Sequence, residues 1–266
     1  MATILKCFPF GKFKTLTMSY DDGKKYDKRL VGIFNKYGIK GTFHLNSGLL
    51  GLDIHLKKDE IKDLYRGHEV SAHTLTHPTI ARCPSEQIIK EILSDRKNLE
   101  DIVGYTVRGL SYPNGSYNAE IKSMLKYLGI EYSRIVGNKD NFELPSDFYE
   151  WKATCHHNHN LMENAKSFVE LHKKQYLYLM YVWGHSYEFD KDNNWSLIEN
   201  FCNYVSNKED IWYATNIEIV DYINLLNNLK FSANSTFVHN PSAKSAWLSV
   251  NNEIIEVKGG STTKFL

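Results

Sequence analysis

The chain has 266 residues, 42% hydrophobic and 24% charged, a balance near the globular average that excludes a disordered, collagen-like or low-complexity protein. That length allows one or two domains or a single α/β barrel. Its 32 Lys and Arg against 31 Asp and Glu leave a formal charge of +1, so no basic excess is available for a polyanionic backbone and no nucleic-acid partner is expected.

In chain order, the opening MATILKCFPF has no basic start followed by an apolar stretch and a cleavage site, which predicts a cytoplasmic location, or an extracellular one where a leader has been removed. Lys14 to Tyr20 alternates polar and apolar side chains and predicts a strand, followed by a helix from Tyr26 to Tyr37 that stops at Gly38. Gly41 to Leu45 is the next strand, then a helix near Lys57 to Arg66, the strand His68 to Ala72, and a long helix from Ser85 to about Val103. Further pairs read as Arg108 to Tyr112 with Asn118 to Leu128, Ile130 to Val136 with Glu163 to Lys173, Tyr176 to Trp183 with Ser196 to Ser206, and Ile211 to Ala214 with Ile217 to Asn228. Strands joined in this way by helical crossovers predict an α/β fold of about seven units, near the count of a closed barrel. After residue 230 the character changes: Trp247 to Val250 and Ile254 to Val257 around Asn251-Asn252 predict a hairpin. Residues 1–230 are therefore the main domain and 231–266 a small β appendage packed on it. The longest apolar run, Tyr176 to Trp183, is far below the roughly 18 residues that cross a bilayer, so no membrane span is expected. Cys7, Cys83, Cys155 and Cys202 lie far apart without Cys-x-x-Cys spacing, which favours buried or free thiols.

Two signals carry chemistry. Asp21-Asp22-Gly23 falls at the carboxyl end of the first strand, where parallel α/β folds bind ligands, and adjacent carboxylates there repel unless a cation or proton intervenes. Read locally, it is also an ordinary Asp-Gly turn. His73-Thr74-Leu75-Thr76-His77 follows the third strand; two imidazoles four residues apart face the same way if the segment is helical, a familiar presentation to zinc. A carboxylate and two imidazoles on one barrel face would leave metal positions open for water and substrate. Cys155-His156-His157-Asn158-His159 hints at a second metal site, but reads more simply as a polar loop with no second element to complete a ligand shell.

At these residues the chain resembles the polysaccharide deacetylases with the NodB homology domain, carbohydrate esterase family 4. Thr17-Met18-Ser19-Tyr20-Asp21-Asp22-Gly23 is similar to the family's first motif, and Gly67-His68-Glu69-Val70-Ser71-Ala72-His73-Thr74-Leu75-Thr76-His77 to its second. The resemblance implies a distorted (β/α)7-type barrel with Asp22, His73 and His77 holding one divalent metal, zinc before cobalt or nickel, and Asp21 as base. Ser111-Tyr112-Pro113-Asn114-Gly115 is similar to the third motif, but the arginine that steadies the base falls on Ser111; Arg108 points to the opposite strand face from Ser111, and whether it substitutes stays open. By the same resemblance His185, in Val182-Trp183-Gly184-His185, is the general acid, Tyr112, Pro113 and Asn114 serve the oxyanion and substrate, and Trp151 and Trp183 line the groove. The implied activity is hydrolysis of N-acetyl groups on an amino-sugar glycan. An O-acetyl ester, a small amide, or a weakly active carbohydrate-binding relative are the alternatives.

Overall fold

The computed structural model describes residues 3–265. A short strand, β1 (Ile4–Cys7), precedes the alternating part of the chain. There β2 (Lys14–Asp21), β3 (Gly41–Leu45), β4 (Glu69–Ala72), β5 (Gly109–Ser111), β6 (Tyr132–Asn138), β7 (Trp151–Ala153), β8 (Cys155–His156), β9 (Tyr178–Gly184) and β10 (Ile211–Tyr213) form one sheet. Eight helices alternate with them: α1 (Asp27–Tyr37), α2 (Lys58–Leu64), α3 (Ser85–Val103), α4 (Ala119–Leu125), α5 (Leu161–Val169), α6 (Ser186–Lys191), α7 (Trp195–Val205) and α8 (Asn216–Asn228). The strand order is β7-β6-β5-β4-β3-β2-β9-β8, with β10 paired to the start of β2, and every pair is parallel.

The two ends of this order meet. Only Thr154 separates β7 from β8, and its N–H donates to Tyr181 O of β9 at 2.8 Å, so one segment pairs with β6 on one side and β9 on the other. The expected parallel α/β architecture is present, with a short irregular seam where a regular barrel would have a continuous ladder. All eight residues of β2 are buried, as a strand covered on both faces requires. Helices α1 and α3 end at Gly38 (φ 65°) and Gly104 (φ 81°), whose left-handed backbones return N–H groups to the last turn. The core between sheet and helices includes Leu16, Met18, Tyr20, Phe34, Phe43 and Ile92.

The tail adds β11 (Lys230–Phe231), β12 (Phe237–His239), β13 (Ala246–Val250), β14 (Glu253–Val257) and β15 (Thr262–Lys264). Asn251 (φ 52°) and Asn252 (φ 72°) make the tight turn between β13 and β14. The sequence pattern did not reveal that β1 joins this hairpin, pairing antiparallel with β13. Phe8, Leu225, Leu226 and Leu229 share a core with Leu248, Val250 and Val257, so the appendage rests on α8. The four cysteines are free thiols, with Cys7, Cys155 and Cys202 buried. No helix among the described residues is long and apolar enough to cross a membrane.

Candidate metal and catalytic site

The ends of β2, β4, β5 and β9 converge on one mouth of the sheet. β2 closes on Asp21, and Asp22 adopts φ 80° with its N–H donated to His44 O at 2.9 Å. His73 leaves β4 into a loop, not the helix that the four-residue spacing allowed: Thr74 (φ 66°) and His77 (φ 61°) have left-handed backbones that no α-helix accommodates. The loop is clamped from α3, where Asp95 accepts the His73 N–H at 2.9 Å and Glu91 accepts Thr76 N–H and O–H at 2.8 and 2.7 Å. Asn46 Nδ2 also donates to His73 O and Thr74 O at 2.6 and 3.0 Å. These contacts bring the two imidazoles together edge to face, with ring centroids 4.8 Å apart.

Asp22 Oδ1 lies 3.7 Å from His73 Nε2 and 3.8 Å from His77 Nε2, and one ligand atom from each of the three residues falls within 4.8 Å of the others. The donor chemistry fits a divalent ion. His73 Nδ1–H donates to Ser111 O at 2.7 Å, which fixes the proton there and leaves the Nε2 lone pair facing Asp22. Burial pulls His73 down to about 4, against the opposing charges of Asp21 and Asp22, so this imidazole is neutral at neutral pH, the form that binds metal.

Asp21 is 3% exposed and its partner is not the residue that the third motif pointed to. Arg134, from β6, donates from Nη2 to Asp21 Oδ2 and, at 2.5 Å, to Ser111 Oγ, whose hydroxyl in turn donates to Asp21 Oδ2 at 3.2 Å. His44 Nδ1 is 3.4 Å from Asp21 Oδ1. Burial raises the Asp21 carboxyl, but Arg134, then His73 and His44, outweigh it and hold it well below the usual carboxylate range. Arg108 does not substitute: it is tied to Glu131 and Asp221 at 3.1 and 2.8 Å. Sequence reasoning missed both Arg134 and His44; the available signal was a single arginine inside an expected strand, on the same face as Tyr132.

His185 caps the short helix α6, its side chain 22% exposed. Glu188 Oε2 accepts the His185 backbone N–H at 3.0 Å and lies 3.3 Å from its Nδ1. Burial pulls His185 down, yet the Glu188 hydrogen bond and the charges of Asp21 and Asp22 win, and its pKa is raised. The same Glu188 oxygen lies 3.1 Å from His156 Nε2 and 3.3 Å from His157 Nε2. The His156–His159 segment is thus no free polar loop: it begins in β8, and α6 supplies the missing second element. His156, His157 and Glu188 are close enough for a metal, but the Asn158 N–H donates to His156 Nδ1 at 3.1 Å. That places the His156 proton on Nε2, facing Glu188, so His156 offers this carboxylate a proton and not an ion a lone pair. Burial lowers His157 to about 3; its neutral ring stacks on Phe189 at 4.1 Å.

The remaining expected site residues divide. Trp183 is 8% exposed, with the Arg134 guanidinium 4.4 Å over its ring, and walls the site beside His185. Tyr112 is buried, its O–H given to Tyr149 O and its N–H to Arg134 O. Pro113 has no N–H, and Gly115 N–H is returned to Tyr112 O, which leaves Asn114 (φ 57°) as the turn's free backbone donor among the described residues. Trp151 lines no groove. It is fully buried in β7 against Tyr132, Phe148 and Tyr181, because the seam turns this side chain into the core.

Residues 11–133 match the sequence model of the polysaccharide deacetylase family. The chain is 32% identical over 131 residues to a chitin deacetylase of Arthroderma benhamiae, covering 47% of this chain and 34% of that protein. It is 22% identical over 122 residues to a peptidoglycan-N-acetylglucosamine deacetylase of Listeria monocytogenes, covering 45% of this chain and 26% of that one. The chain thus spans about a third or less of the length of these curated relatives. In three dimensions it is similar to a Mycobacterium smegmatis protein named after the same family, with a TM-score of 0.63 at 15% identity over 83% of this chain and 93% of that one. The segment that supplies both aspartates, both loop histidines and Ser111 is the segment that is similar to the polysaccharide deacetylase family model.

Proposed function

We propose that this protein is a metal-dependent hydrolase that removes N-acetyl groups from an amino-sugar glycan or oligosaccharide. The observation that carries this reading is the convergence of Asp22 Oδ1, His73 Nε2 and His77 Nε2 beside an Asp21 carboxylate locked by Arg134. A divalent ion, zinc before cobalt or nickel, would supply Lewis acidity that polarises the acetyl carbonyl and acidifies water at this point. Asp21, ionised and immobilised, takes the proton of the attacking water. The Asn114 N–H offers a fixed donor to the developing oxyanion. His185, whose proton affinity Glu188 raises from the Nδ1 side, gives its Nε2 proton to the departing amine. Asp21 is held below its ordinary pKa and His185 is raised above its own, the directions that favour a charged base and a loaded acid. A near-neutral chain suits an uncharged or weakly charged glycan.

Acetate release from a panel of N-acetylated and O-acetylated glycans, with added Zn²⁺, Co²⁺ or Ni²⁺ and after chelation, tests the reading. Release from N-acetylated oligosaccharides that chelation abolishes is the expected result. Turnover of O-acetyl esters alone would replace the amide assignment with an esterase, and release indifferent to chelation would remove the metal.

A further inference from the structure

The two oxygens of Asp22 face different partners. Oδ1 is the one near His73 and His77, whereas Oδ2 lies 3.1 Å from the ammonium of Lys24. The turn makes this possible: Asp22 (φ 80°) and Gly23 (φ 65°) reverse the chain, so that a lysine two residues on folds back over the aspartate. Gly23 is needed there, since a Cβ would come within 2.9 Å of Leu45 Cδ2 on top of the positive φ. The Lys24 side chain is only 18% exposed, and its Nζ also rests 3.9 Å from the centre of the Tyr187 ring. Tyr187 is packed in turn against His185, with ring centroids 5.2 Å apart. The lysine therefore has a built seat between the end of β2 and the start of α6.

We propose that Lys24 is a positioning residue that sets how the site binds its metal. It occupies Asp22 Oδ2, so the carboxylate offers the ion Oδ1 alone, and its fixed positive charge beside the ligand holds divalent-ion affinity below what the same three ligands would give without it. Partners of metal ligands typically change affinity by about 10–100-fold when removed. Most such partners strengthen binding by orienting the ligand. A cation a few ångströms from the ion acts in the other direction, because like charges repel most strongly where water is scarce. The sign of the effect therefore separates a charge role from simple orientation. Monodentate presentation also disfavours Ca²⁺, which readily takes carboxylates bidentate, relative to Zn²⁺.

This inference rests on the assignment of Asp22, His73 and His77 as metal ligands, and the test keeps the two apart. The purified full chain, stripped of metal, is titrated with Zn²⁺ against a chromophoric chelator, as wild type, Lys24→Met, Lys24→Gln, Lys24→Arg and His77→Ala. The expected result is that Lys24→Met and Lys24→Gln bind Zn²⁺ about tenfold tighter, that Lys24→Arg stays within about threefold of wild type, and that His77→Ala binds far more weakly. With Co²⁺ as probe, the visible absorption of Lys24→Met should weaken as Asp22 Oδ2 joins the coordination shell and the ligand number rises. Affinity unchanged or reduced in both neutral variants overturns the role of Lys24 while leaving the metal site in place. Zn²⁺ binding indifferent to His77→Ala overturns the metal assignment, and the role of Lys24 with it.

Discussion

Replacing Arg134 gives the sharpest test of how the site is held together. Arg134 and Asp21 are 1% and 3% exposed, so neither charge has water to fall back on when its partner is lost. Removing one member of such a buried pair costs roughly 3–5 kcal/mol, most of it the penalty on the charge left behind. Arg134→Met should therefore destabilise the fold by about that amount, and Asp21→Asn, which strands the guanidinium, by a comparable one. The double variant Asp21→Asn/Arg134→Met removes both charges and should cost far less than the sum, giving a coupling energy of about 3 kcal/mol or more in a double-mutant cycle. For a chain of this size each kcal/mol moves the melting temperature by about 2–4 °C, so either single variant should fall by about 6–20 °C. The assay is urea and thermal unfolding of all four proteins in excess chelator, which keeps metal binding out of the cycle. Arg134→Lys keeps the charge but loses the fork that reaches both Asp21 and Ser111, and should recover only part of the loss. Additive single-variant losses would refute the reasoning and assign the Asp21 environment to His44 and Ser111 instead.

Three further outcomes follow from the same geometry. Asp21→Asn should leave Zn²⁺ affinity nearly intact while cutting turnover by about 10² or more, whereas Asp22→Ala should weaken the metal itself; equal loss of metal in both variants would remove the division of labour. His185→Ala should damage hydrolysis of an N-acetyl sugar far more than that of an activated aryl acetate, whose phenolate departs without a proton, and equal losses on both substrates would make His185 an orienting group. Away from the site, burial pushes Glu69 up to about 7 against hydrogen bonds from Ile217 N–H, Tyr132 O–H and Thr42 O–H. Its folded pKa is above the unfolded value near 4.5, so its contribution is complete below that value and is lost as pH rises through 7. Wild type should lose roughly 2–3 kcal/mol more stability than Glu69→Gln between pH 5 and 8, measured by urea unfolding, and parallel pH profiles would show that the three donors keep Glu69 ionised.

What the sequence determined by itself was whatever depends on neighbours along the chain. Alternation in Lys14 to Tyr20 and apolar spacing closed by Gly38 are local signals, and β3 and α3 fall where the sequence pattern places them. The adjacent aspartates and the paired histidines of the loop were legible for the same reason, since one strand end or one loop carries each pair. The seam was not: strands of three and two residues, Trp151–Ala153 and Cys155–His156, are too short to show a period, and Trp151 was misplaced with them. The partners of the site residues were decided by tertiary structure alone. Arg134 reaches Asp21 only because β5 brings Ser111 between them, and the stagger of parallel strands is set by packing that no single segment encodes. The His73 tautomer depends on Ser111 O, 38 residues away, and the loop's shape on Asp95 and Glu91, one turn apart on α3. Glu188 gathers three imidazoles from β8 and the end of β9 for the same physical reason: residue types are local, whereas the neighbours that fix their charge and proton position are chosen by the fold.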